Sequence, residues 1–259
     1  MTAPDDTPAP GLRTRLLTAA AGEGESLRRG LWVSFLNPYG LEVVVGSGVD
    51  WVGLDLQHGD LEPTDVPGLL RVAEHARLPV LARTPSHDAA TIGRLLDAGV
   101  DGLIVPMVET ADQARALVSA CRTPPHGTRS TGGCRQALGV TRAPAQQLLL
   151  PMVETATGLE RAADILAVPG IDGVFVGPYD LSISAGYPEP DSAQTVQALR
   201  HVVGLARGAG KVVGFMAGRP ALLEVAPEAD LVAVDTDVTA LRLGLSRLFV
   251  RPRSRGTPS

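Results

Sequence analysis

Eight short apolar runs of β type punctuate this chain, at residues 31–35, 51–56, 79–83, 102–105, 148–153, 171–176, 212–216 and 231–234. Between them lie segments whose apolar residues recur at helical spacing, among them 65–77, 88–98, 111–121, 192–209 and 239–249, and a leading helix is expected over 12–21. Strands that alternate with helices pair in parallel, because each helix carries the chain back along the sheet. Eight such units close into an α/β fold of the (β/α)8 type, the TIM barrel; an open doubly wound sheet is the alternative that the count disfavours. At 259 residues the chain suits one barrel domain over 11–250, and nothing in its middle reads as a linker. The acidic, proline-rich start (1–10) and the tail (251–259) are expected to be disordered.

The formal charge of −5 gives no support for binding nucleic acid or a membrane surface. The first residues, MTAPDDTPAP, lack the basic and then apolar order of a signal peptide, and no apolar run approaches a membrane span, so a cytoplasmic location is expected. Cys121 and Cys134 have no zinc-ligand spacing, and no structural disulfide is expected between them.

In a barrel of this kind chemistry gathers where the strands end. Those ends carry Asp55, Gln57, His58 and Asp60 after the second run, Arg83 after the third, Glu109 after the fourth, Glu154 after the fifth and Asp180 after the sixth. Residues 148–186 form a βαβ unit, which brings Glu154 and Asp180 out on one rim as two oxygen ligands for a divalent cation. The plainer alternative is that Asp180 and Thr155 cap helices and Glu154 is a solvated first-turn acid. Two copies of Pro-Met-Val-Glu-Thr-Ala, from Pro106 and from Pro151, give Glu109 and Glu154 the same local setting. Glu154 is preferred for its neighbour on the next strand. Arg83 ends an apolar run, a poor place for a random surface charge.

The segment 122–147 carries little helix or strand pattern, and its Arg129, Arg135 and Arg142 suit either an anionic substrate or a neighbouring subunit. Chemistry at a carbon next to a carbonyl needs a Schiff-base lysine or a metal as electron sink. The single lysine, Lys211, begins the seventh strand, at the rim away from these acids. The metal reading gains by elimination, and oxygen ligands favour Mg²⁺ or Mn²⁺.

GLW (30–32), DLQHGD (55–60), LARTP around Arg83, LLDAGVDGLIVPMVET (95–110), PPHGTRSTGG (124–133), VET (153–155) and GVFVGPYDLS (173–182) together resemble the HpcH/HpaI family of metal-dependent pyruvate aldolases. The resemblance implies a cation held by Glu154 and Asp180, Mg²⁺ or Mn²⁺ with Co²⁺ as a further option. It implies Arg83 on the keto oxygen, His58 as base oriented by Asp55, and the backbone of Gly177, Pro178, Tyr179 and Asp180 around the substrate carboxylate. Trp32 would line the aldehyde side, and Asp97 would lie near a subunit contact and the base. It further implies a homo-hexamer that exchanges its C-terminal helix between subunits. Two departures stand out: Gln57 where members often have Glu, and Met152 where they often have Gln. The expected activity is reversible cleavage of 4-hydroxy-2-oxo acids to pyruvate and an aldehyde. Oxaloacetate decarboxylation and a non-catalytic metabolite-binding barrel are the rivals. A lyase of acyl-CoA thioesters lacks the nucleotide site and the extra chain length it would need.

Overall fold

Parallel strands buried on both faces read as continuous apolar runs, and each run above becomes a strand. The computed structural model describes residues 12–20, 28–130, 132 and 147–249; within them eight parallel strands pair in sequence order into a closed barrel. They are β1 Arg28–Val33, β2 Trp51–Asp55, β3 Val80–Arg83, β4 Gly102–Val105, β5 Leu148–Val153, β6 Gly173–Val176, β7 Val212–Met216 and β8 Leu231–Thr236. β1 begins three residues before the apolar pattern does, because Arg28 and Arg29 pair with Leu231 and Val232 of β8 and help close the ring while their side chains stay out of the core. Residues 1–11, 133–146 and 250–259 lie outside the described set, so the expected terminal disorder, Cys134, Arg135 and Arg142 have no structural counterpart here.

Helices form where the spacing predicts them, and three others add to that set: α1 Leu12–Ala20, α2 Pro38–Val44, α3 Val66–Ala76, α4 Ala89–Ala98 and α5 Ala111–Cys121, then α6 Ala156–Glu160, α7 Ala162–Leu166, α8 Pro178–Ser184, α9 Ala193–Gly208, α10 Pro220–Leu223 and α11 Asp237–Leu248, of which α2, α8 and α10 are the additions. Asn37, Asp88, Thr110, Thr155, Ser192 and Thr236 start six of them by accepting a first-turn N–H. The crossover from β5 to β6, expected as one helix, breaks at Arg161 (φ −105°, ψ 11°). The break lets α6 lie close under the β4–α5 turn, where a Cβ on Gly158 would stand 3.0 Å from the Val108 carbonyl, while α7 packs on α5 and α9.

Two apolar layers result. Leu69, Leu70, Ile92, Leu95, Leu199 and Val202 seal helices onto the outside of the barrel. Inside, Trp32, Trp51, Leu81, Ile104, Met152 and Phe175 fill the bore, and α1 closes its amino-terminal mouth with Leu12 and Leu16. Trp32 and Phe175 stack with ring centroids 5.6 Å apart. Gly53 makes room for the two indoles, since a Cβ there would meet the Trp32 ring at 2.7 Å and the Trp51 ring at 3.1 Å. No helix among the described residues is long and apolar enough to cross a membrane. α11 leaves Leu241, Leu243, Leu245, Leu248 and Phe249 exposed, a large apolar surface for one helix.

Candidate active site

β2 and β3 are neighbours whose last residues, Asp55 and Arg83, stand in register. The guanidinium grips the carboxylate at two points, Nε to Oδ1 at 3.0 Å and Nη2 to Oδ2 at 2.6 Å. The Trp32 indole N–H donates to the same Oδ2 at 3.2 Å, and the guanidinium carbon lies 5.3 Å from the centre of the Trp32 ring. Both members of the pair are buried. Burial pushes the Asp55 carboxyl upward, but the Arg83 pair and the N–H groups of His58 and Gln57 outweigh it, and the net position is below the ordinary carboxylate range.

Glu154 follows β5 directly and is 2% exposed. Its Oε1 accepts the Met107 N–H at 2.7 Å, while Oε2, also out of solvent, has no hydrogen-bond partner. Burial pushes this carboxyl up to about 7; the Asp180 charge adds to the rise, and the Met107 N–H and the Arg83 charge pull against it. Gly177, at the end of β6, is what leaves Oε2 its space, since a Cβ there would stand 2.8 Å from that oxygen and 2.6 Å from Met152 Cε. Asp180 sits in the first turn of α8, exposed, with no hydrogen bond to the described residues.

The capping alternative does not describe these acids. The N-cap of α8 is Gly177, without a side-chain bond, and Glu154 is buried rather than solvated. Thr155 does cap α6, as that alternative expected. Glu109, the other copy in the repeat, has an engaged carboxylate, accepting the Thr155 hydroxyl at 2.8 Å.

A buried carboxylate oxygen without a partner, beside a second unpaired acid, is chemically suited to a hard divalent cation. Among the described residues no group of three or more His, Cys, Asp and Glu side chains could form a cage. Two carboxylates alone would leave coordination positions for water or substrate, an arrangement that Mg²⁺-type ions commonly adopt.

Residues 28–238 match the family model for HpcH/HpaI aldolase/citrate lyase. The chain belongs to the HpcH/HpaI aldolase/citrate lyase family. It is 37% identical over 242 residues to a hydroxypyruvate/pyruvate aldolase of Chromohalobacter salexigens, covering 86% of this chain and 92% of that one. It is 39% identical to a 2-keto-3-deoxy-L-rhamnonate aldolase of Klebsiella pneumoniae, covering 84% and 86%. In shape it is similar to an HpcH/HpaI aldolase/citrate lyase family protein of Burkholderia cenocepacia J2315, with TM-score 0.80, 32% identity and coverage of 92% of this chain and 98% of the other.

In this HpcH/HpaI barrel several sequence assignments take a more definite form. Asp55 reaches His58 through the backbone N–H, at 3.1 Å, and its side-chain partners are Arg83 and Trp32; it orients the arginine rather than the imidazole. The His58 ring is exposed. Trp32 is 4% exposed and forms the floor under Asp55 and Arg83, whereas the resemblance put it on the aldehyde side. Met152 is buried in the bore against Gly177. Gln57 Oε1 is buried without a partner, at the position where members often carry an acid. Tyr179 is partly exposed on the rim, its carbonyl accepting the Ser182 hydroxyl.

Asp97 and Arg129 sit elsewhere in the chain. Asp97 is in the last turn of α4 and Arg129 follows α5, so both lie on the amino-terminal face, where they pair at 3.5 Å. Within one chain neither meets Glu154 or Asp180. Lys211 is on that face as well, its Nζ donating to the Ile171 carbonyl.

Two contributors escaped sequence reasoning. Asp237, buried after β8, accepts N–H groups of Ser34, Phe35 and Leu36 and pins the β1–α2 turn beside the site. It gave the same signal as Glu154, an acid at a strand end. Met107 acts through its backbone alone, so its side-chain type gave no signal.

Proposed function

We propose that this chain is a metal-dependent aldolase that reversibly cleaves 4-hydroxy-2-oxo acids to pyruvate and an aldehyde. The observation that carries the reading is the buried, unpartnered Oε2 of Glu154 beside Asp180, within reach of the charge of a clamped arginine. The names of the relatives, hydroxypyruvate/pyruvate aldolase and 2-keto-3-deoxy-L-rhamnonate aldolase, support the same substrate class. Glu154 and Asp180 would hold the cation, Mg²⁺ or Mn²⁺ with Co²⁺ as a further option, and its contribution is to polarise the keto group as a Lewis acid.

The chain's own groups do the rest. Cleavage breaks the bond between carbon 3 and carbon 4, and its electron pair moves towards the keto oxygen. Arg83 donates to that oxygen as negative charge grows on it, and its fixed orientation means that little reorganisation is needed; one such donor is worth about 3 kcal/mol in the transition state. His58, exposed next to the Asp55 turn, takes the proton from the 4-hydroxyl through water and returns it in the addition direction. The enolate of pyruvate is left, and the proton His58 has taken, relayed back through water to carbon 3, completes the product. The backbone from Gly177 to Asp180 receives the substrate carboxylate; Pro178 has no N–H and fixes the turn, which leaves Tyr179 and Asp180 as donors. Trp32 walls the site from below.

The same enolate chemistry makes oxaloacetate decarboxylation the expected side reaction. The orphaned Gln57 Oε1 and the apolar Met152 are what favour the second reading, a non-catalytic binder of small metabolites. The working form of the 11–250 domain is a cytoplasmic homo-hexamer in which α11 is exchanged between subunits, an assignment supported by the exposed leucines of that helix.

Glu154→Ala and Asp180→Ala should each abolish pyruvate release from a 4-hydroxy-2-oxo acid, and Lys211→Ala should leave it near normal without borohydride trapping. Undiminished turnover after removal of metal by a chelator, or a trapped adduct with pyruvate, would overturn the assignment.

A further inference from the structure

The Glu154 carboxylate is aimed by a peptide group, and that peptide is held from behind. We propose that His87 is a positioning residue for the cation site, acting through the peptide that joins Pro106 to Met107. The inference rests on Glu154 being a cation ligand.

His87 lies in the β3–α4 connection, partly buried, with Nε2 2.6 Å from the Pro106 carbonyl oxygen. A carbonyl only accepts, so Nε2 carries the hydrogen. The N–H of the same peptide, that of Met107, donates to Glu154 Oε1 at 2.7 Å. A trans peptide is a rigid plane with its C=O and N–H on opposite edges, so holding one edge fixes the direction of the other. The bond to the carbonyl also polarises the N–H and strengthens what it gives to Glu154.

This orientation is costly at Met107. Its φ is +55°, one of two positive values at non-glycine positions among the described residues. Without His87 the plane is free to rotate and relieve Met107, and the N–H leaves Oε1. Glu154 then turns to recover a partner, and Oε2 no longer stands in the space that Gly177 leaves open. Strain of this kind persists only where neighbours over-determine it, and His87 and Glu154 supply one bond at each edge.

Mn²⁺ titration followed by electron paramagnetic resonance tests this without turnover. Partners that orient a metal ligand commonly change metal affinity by about 10–100-fold, so His87→Ala should weaken Mn²⁺ binding by about tenfold or more. His87→Gln, whose amide nitrogen can reach the Nε2 position, should recover most of that loss, which a merely space-filling role would not produce. Should the Ala variant fail to fold, His87→Leu fills the space without a donor and takes its place against His87→Gln. Glu154→Gln is measured alongside. An affinity within about twofold of wild type for His87→Ala, with binding lost in Glu154→Gln, overturns the role of His87 alone. Wild-type affinity in Glu154→Gln removes Glu154 as a ligand, and this inference with it.

Discussion

Arg83 and Asp55, the last residues of neighbouring strands, meet through two parallel hydrogen bonds of 3.0 and 2.6 Å on top of the Trp32 indole. The pair is buried, and taking one partner away leaves the other as an uncompensated charge, a loss of about 3–5 kcal/mol in comparable pairs. What the pair contributes is a guanidinium of fixed direction at the mouth of the barrel. It is also the main reason why the carboxyl of Asp55 is more acidic than its surroundings alone would make it.

That acidity has a consequence in pH. The folded-state value of Asp55 is lowered from an ordinary value of 3.8, so its contribution to stability is fully present above about pH 5 and is lost as pH falls through the lower folded value. The gap in unfolding free energy between wild type and Asp55→Asn should be constant from about pH 5 upward and shrink towards pH 2. Urea titrations across that range measure it, and a gap that grows in acid would contradict the pairing.

Arg83→Lys keeps the charge but loses the fork that binds both Asp55 oxygens. The expected result is a fall of about 10²-fold in kcat for aldol cleavage, with a smaller change in KM. A kcat within threefold of wild type would remove Arg83 from the reacting oxygen.

At Gly177 the constraint is space. Gly177→Ala places a methyl 2.8 Å from Glu154 Oε2, so that oxygen has to leave the position it holds. The variant should fold, because the two nearest atoms, Met152 Cε at 2.6 Å and Glu154 Oε2 at 2.8 Å, are side-chain ends, with Glu154 Cβ next at 3.0 Å. Yet it should bind Mn²⁺ at least about tenfold more weakly by calorimetry, the scale on which metal-site geometry matters. Unchanged affinity would place the cation elsewhere.

The exposed face of α11 predicts assembly. Light scattering should give a mass several times the 26.9 kDa of one chain, and Leu243→Glu with Leu248→Glu should reduce it. A monomeric wild type at micromolar concentration would contradict the exchanged helix.

The barrel was legible because strands covered on both faces cannot avoid long apolar runs, and the acids at their ends interrupt those runs. The sequence could not rank Glu109 against Glu154, since the repeat gives both the same neighbours; the difference is that Thr155 engages Glu109 while Gly177 leaves Glu154 Oε2 open. Arg28 and Arg29 escaped the first strand because edge residues at a rim join the sheet without being apolar. Asp97, which the resemblance puts near a subunit contact and the base, and Arg129, which suits either an anionic substrate or a neighbouring subunit, pair within one chain at a helix end and after a helix, on the opposite face of the barrel. Met107 could not be read at all, since any residue with an N–H could donate to Glu154.

Aldol cleavage at this site requires the enol form of a small 2-oxo acid, made with the help of a divalent ion. Exchange of deuterium into the methyl group of pyruvate, followed by NMR with and without added Mg²⁺ or Mn²⁺, reports that step directly. Exchange that requires the ion and disappears in Glu154→Ala and Asp180→Ala is the predicted result. Absence of exchange under every metal condition, or exchange indifferent to both substitutions, would contradict it.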